Sequence, residues 1–98
     1  MMETRQIDTE FTVEGVTYPV HLTMSPAGNG FFRTNYMFKF SPEDERPTMF
    51  YCLTSENPDV VFGYIIEAKE ICGDEWKKRL KFNHSTKQLF FDDHALPV

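Results

Sequence analysis

A histidine beside a carboxylate is the usual raw material of acid–base and metal chemistry, and this chain has three histidines. Asp92-Asp93-His94 is the one run that joins both residue types. Consecutive strand residues point to opposite faces, so at most Asp92 and His94 share an ion. Two ligands beside a chain end make a poor site, and no metal is expected. His21 falls opposite Asp8 if the first two strands pair as their alternation requires. A His–Asp pair is the orienting half of a hydrolytic triad, yet no serine or cysteine is placed to be its nucleophile. A surface cross-strand pair worth about a few tenths of a kcal/mol is expected instead. His84 falls in a hairpin loop and faces solvent.

The remaining reactive types are sparse. Cys52 and Cys72 are too few and too isolated for a disulfide framework or a zinc site, and both sit in apolar surroundings, as buried reduced thiols do. Gly28-Asn29-Gly30 would suit a phosphate only if it opened a helix. It precedes an aromatic strand, so it is expected to be a connection. Neither a Walker A loop nor a dinucleotide fingerprint is present. No catalytic residue and no cofactor are expected.

Charge defines two surfaces. The formal net charge is -5, which opposes generic binding to nucleic acid or anionic membrane. Residues 1–73 carry 11 acids against 5 bases, and residues 74–98 carry 4 against 5. Glu43-Asp44-Glu45 is a solvated turn or a negative contact surface for a basic partner. Lys77, Arg79 and Lys81 share one face if their segment is a strand, with Phe90 opposite Lys81 and Asp92 opposite Arg79. Basic groups interleaved with an aromatic can grip single-stranded nucleic acid. The stripe is short and the net charge is wrong, so an ordinary solvated face is preferred and nucleic acid is not expected.

The elements that position these residues are mostly strands. Ile7, Thr9, Phe11 and Val13 alternate with Asp8, Glu10, Thr12 and Glu14. After Glu14-Gly15, Val16, Tyr18, Val20 and Leu22 alternate with Thr17, Pro19, His21 and Thr23. Pairing Val13 with Val16 across a two-residue loop sets Phe11 against Tyr18 and Ile7 against Leu22. Turn and apolar face thus select one register, and a slip of one residue would destroy the agreement. Ser25 to Gly30 is a dense turn signal. Phe31 to Phe40 is a third strand, with Phe32, Tyr36, Phe38 and Phe40 on one face and Arg33, Asn35, Met37 and Lys39 on the other. Ser41 to Pro47 is a polar loop bounded by prolines. Thr48 to Thr54 is a strand apolar on both sides, Met49, Tyr51 and Leu53 on one and Phe50 and Cys52 on the other.

Asn57 to Cys72 carries conflicting signals. Val60, Val61, Phe62, Tyr64, Ile65 and Ile66 with Gly63 favour a strand after an Asn57-Pro58-Asp59 turn. Asn57 as cap, Pro58 as first helical residue, Glu67-Ala68-Lys69-Glu70 and Gly73 as stop favour a helix. The strand is preferred. Trp76, Lys78, Leu80 and Phe82 then alternate with Lys77, Arg79 and Lys81, and the chain turns at Asn83 to Lys87. Gln88 to Asp92 returns, so that Asn83 meets Gln88, Phe82 meets Leu89 and Leu80 meets Phe91.

These elements predict a mainly β protein, a single-domain antiparallel meander of six or seven strands curled into a small barrel or sandwich. The alternative is α+β with one helix over about residues 58–72. Residues 94–98 are expected to be a loose tail. The N-terminus lacks a basic, then apolar, leader pattern, and no window reaches the ~18 apolar residues of a membrane span; a cytoplasmic protein is expected. Met37 and Phe50 lie opposite the main aromatic rows, as do Val60, Phe62 and Tyr64 in the strand reading, and a small sheet has trouble covering both faces. The function expected is therefore non-enzymatic, a small acidic module that binds and inhibits another macromolecule, or that pairs with its own copy. Small immunity, counter-defence and adaptor proteins share its size and charge. The candidate contact residues are Met37, Glu43, Asp44, Glu45, Phe50, Lys77, Arg79, Lys81 and Phe90. The alternative is a small-molecule binder using an aromatic-lined interior.

Overall fold

The computed structural model describes residues 3–83 and 88–91. The chain falls into two compact units, Met1–Leu53 and Thr54–Val98. The first is a four-stranded antiparallel sheet of β1 (Arg5–Val13), β2 (Val16–Gly28), β3 (Phe31–Phe38) and β4 (Thr48–Thr54), ordered as in the sequence. It is an open sheet and not a barrel, with β1 and β4 at its two ends.

β1 and β2 pair in the expected register, Val13 with Val16, Phe11 with Tyr18, Ile7 with Leu22 and Asp8 with His21. Both loop residues adopt the left-handed region, Glu14 at φ 52 and Gly15 at φ 81. This is the primed turn whose twist matches that of the flanking strands. The second connection is tighter than Ser25 to Gly30 suggests. Only Asn29 and Gly30 form the turn, at φ 55 and 80, while β2 runs on to Gly28 with a bulge between Pro26 and Gly28. Asn-Gly is the favoured sequence for such a turn, and it prevails over the weaker signals beside it.

Two prolines lie within β2, and the register explains both. Across a two-residue loop Val13 and Val16 exchange hydrogen bonds, so even-numbered β2 residues turn their backbone groups toward β1 and odd-numbered ones toward β3. Pro19 faces the β3 side, where the ladder starts only at Val20 with Phe38. Pro26 faces the β1 side, where pairing stops at Arg5 with Met24. Neither proline therefore interrupts a ladder, the condition under which a strand tolerates one.

One face of this sheet is buried at its centre through Val20, Leu22, Thr34, Tyr36 and Phe38. The Phe50 ring lies 6.2 Å from that of Tyr36, which puts Phe50 on this face. Alternation then sends Met49 and Tyr51, 52% and 59% exposed, to the face of Met37. The expected sides of β4 are thus reversed. A strand apolar on both faces has no internal marker of direction, and the neighbouring strand decides.

In the second unit, residues 58–72 form a helix, α1 (Pro58–Cys72), which corrects the preferred strand reading in favour of its alternative. Pro58 occupies the first turn, the Asn57 carbonyl accepts from the N–H groups of Val60 and Val61 at 3.1 Å, and the Gly73 N–H closes the far end on Lys69 O. Val61, Phe62, Ile65, Ile66 and Ala68 are buried along one stripe, the pattern of a helix with one covered face. Val60, Phe62 and Tyr64 therefore supply no surplus strand surface. A 3-10 turn (Gly73–Glu75) and a single helical turn, α2 (Trp76–Arg79), follow, so the strand begins at Leu80. β5 (Leu80–Asn83) pairs with β6 (Gln88–Phe91), Leu80 with Phe91, Lys81 with Phe90, Phe82 with Leu89 and Asn83 with Gln88, as expected. His84, Asp92, Asp93, His94 and the expected tail lie outside the described residues.

Candidate binding cleft

Past Val20 and Phe38 the central strands of the first unit stop pairing. β2 reaches back from Pro19 to Val16 beside β1 alone, while the chain leaves β3 through Lys39 and Phe40 into the loop of residues 41–47. Between them lies an open cleft of about 320 Å³. Val16, Tyr18 and Pro19 form one wall, and Phe38, Phe40, Pro42 and Pro47 form the other. Thr17, Met37 and Lys39 complete the lining, with Lys39 its one charged member. The Phe38 and Phe40 rings meet edge to face at 4.9 Å, which braces that wall. Val16 is 51% exposed and Met37 37%.

The loop above the cleft carries the acidic run between its two prolines. The Asp44 N–H donates to Ser41 O at 3.0 Å, and the Ser41 N–H donates back to Asp44 Oδ2 at 3.3 Å. The Ser41 hydroxyl donates to the Glu43 carboxylate. That bond, with help from the Glu43 backbone N–H, holds the Glu43 carboxyl below the usual range. Hydrogen bonds to the charged form act in this direction. The loop thus holds the Glu43 carboxylate on a turn fixed by its own hydrogen bonds.

A second hollow of about 490 Å³ lies at the opposite end of the same strands, lined by Glu3, Arg5, Ile7, Met24, Pro26 and Phe32. It mixes both charges with apolar side chains and offers less uniform chemistry.

The expected contact residues separate into different settings. Met37 lines the cleft, and Glu43, Asp44 and Glu45 lie in its loop. Phe50 is half-buried, its ring beside that of Tyr36 on the face that carries the sheet's buried centre. Lys77, Arg79 and Lys81 do not form one strand face, because Trp76–Arg79 is helical. Lys77 Nζ instead sits 5.5 Å from the centre of the Trp76 ring, and Lys78 pairs with Glu75 at 3.1 Å. Lys81 is exposed on β5 opposite Phe90, as expected.

His21 Nδ1 approaches Asp8 Oδ1 at 2.6 Å, with the carboxylate 90% exposed. Such a pair contributes little, and no nucleophile accompanies it in the contacts described. Among the described residues no cluster of three or more His, Cys, Asp or Glu is arranged to hold a metal ion. Nor is any helix there long and apolar enough to cross a membrane.

Alternation alone missed Val16, Tyr18, Pro19, Phe38, Phe40, Pro42 and Pro47 as members of one cleft. The available signal was Pro19 within a strand, which marks the place where β2 has a neighbour on one side only. The chain matches no family model, no curated protein and no solved structure.

Proposed function

We propose that this protein is a non-enzymatic interaction module of the cytoplasm that binds, and thereby inhibits, another macromolecule through the cleft of its first unit. The observation that carries this is the open apolar lining beside an acidic loop. Apolar groups exposed together with a charged rim are the usual anatomy of a contact site. Met37 and the acids 43–45 are then contact residues, and Phe50 supports the sheet behind them.

The same cleft favours one other use. Its volume is at the lower end for small-molecule sites, and its lining is correspondingly apolar. A compact apolar ligand is the second reading.

Immobilised wild-type chain and the Met37→Asp variant separate the two. Met37 is 37% exposed, so the substitution spares the core. A macromolecule retained by the wild type and lost from the variant supports the first reading, and equal retention by both overturns it. No retained macromolecule, with a melting temperature raised by small apolar ligands only in the wild type, establishes the second.

A further inference from the structure

We propose that the cleft takes a small aromatic carboxylate, with its ring between the apolar walls and its charge on the Lys39 ammonium. This rests on the second reading of the cleft, as a site for a compact apolar ligand, and adds the shape and sign of that ligand.

Size and lining select the ring. The cleft, at about 320 Å³, is of the size that holds a compact ligand. Tyr18 and Pro19 belong to one wall, and Phe40, Pro42 and Pro47 to the other. These are flat, stiff side chains, and an aromatic ring packs its faces and edges against them while losing little conformational freedom. Phe38, itself buried, meets the Phe40 ring edge to face at 4.9 Å and supports that wall from the core.

Charge selects the head group. Lys39 is the one charged member of the lining, and no acidic side chain belongs to it. Among the described residues no carboxylate pairs with Lys39. Its apolar stem can lie along the lining while the ammonium stays at the wet rim. Two acids of the neighbouring loop are engaged elsewhere: the Glu43 carboxylate accepts from the Ser41 hydroxyl, and Asp44 Oδ2 accepts from the Ser41 N–H. A single ammonium matches a ligand of one negative charge. A carboxylate there gains charge-assisted hydrogen bonds, whereas a ligand amine meets a like charge. The net charge of -5 opposes anions at long range. The preference is therefore a contact effect of about two- to five-fold, the range of an exposed ion pair.

The test is a chemical-shift titration of the isotope-labelled full chain at neutral pH with phenylpropanoate, phenylpropanol and phenylpropylamine. The three probes share ring and chain and differ only in the head group. The carboxylate is expected to move the signals of Tyr18, Met37 and Phe40 at about 1 mM. The alcohol binds about two- to five-fold more weakly, and the amine more weakly still. Lys39→Gln brings carboxylate and alcohol to equal affinity without ending the shifts at Tyr18, and Lys39→Glu makes the amine the best of the three. Equal affinities in the wild type, the amine binding best there, or a carboxylate preference that survives Lys39→Gln overturns the proposal and leaves a small-ligand site standing. A cleft whose signals none of the three probes moves overturns both.

Discussion

The Phe50 ring lies 6.2 Å from the Tyr36 ring, tilted by 49°. This single contact orients β4, because Tyr36 is fully buried and its neighbour must share its face. Phe50→Ala should therefore cost about 2–3 kcal/mol, reduced from a fully buried phenylalanine by its partial exposure. Met49→Ala and Tyr51→Ala should stay within about 0.5–1 kcal/mol. Urea denaturation of the three variants measures this, and the opposite ranking would turn β4 over.

Gly63 sits in the middle of α1, and a methyl group added there meets no atom within 4 Å. Glycine weakens a helix interior by its backbone freedom. Gly63→Ala should stabilise the protein by about 0.5–1 kcal/mol, raising the denaturant midpoint without changing the slope. A loss of stability would argue against both the helix and the open space beside it.

Glu14 holds φ 52 at the first position of its turn, a conformation that asparagine and glycine adopt more readily. Glu14→Asn should gain about 0.5–1 kcal/mol, and Gly15→Ala should lose about 1 kcal/mol or more. Thermal melts of the pair would show shifts of opposite sign.

At the end of α1 the Lys69 ammonium donates to Asp74 Oδ1 at 2.8 Å. That hydrogen bond, with the lysine's charge, holds the Asp74 carboxyl below the ordinary aspartate range. A depressed acid contributes stability that is complete above its unfolded-state value, about pH 4, and disappears as pH falls through the folded-state value. The wild type should thus exceed Asp74→Asn in stability at neutral pH, and the difference should close in acid. Parallel denaturation at pH 7 and pH 2.5 checks it; a difference that widens in acid would refute the assignment.

Both hairpin registers were legible because two constraints agree in each. In the first, Val13 and Val16 flank a two-residue turn and share the apolar face. In the second, Phe82 meets Leu89 and Leu80 meets Phe91. Where only one constraint operates, the sequence is ambiguous. β-Branched Val60, Val61, Ile65 and Ile66 favour strand locally, but burial of Val61, Phe62, Ile65, Ile66 and Ala68 along one helical stripe outweighs that preference. Trp76 to Arg79 is four residues long, too short for alternation to be told from a helical turn. The cleft was illegible for another reason. It arises where β2 and β3 part, and alternation describes what a strand does while paired.

The order of assembly follows from the two tight turns. β1, β2 and β3 are joined by two-residue connections, so their pairing closes only small loops. β4 must wait for residues 39–47 to bridge back from β3, a longer closure. Lys39, Phe40, Pro42 and Pro47 belong to that bridge, so the far wall of the cleft is completed after the hairpins and released before them. In hydrogen exchange, the amides of residues 39–47 should open at lower free energy than those of the β2–β3 ladder. On that ordering the wall built from residues 39–47 is the less protected side of the cleft and the hairpin wall the more protected one.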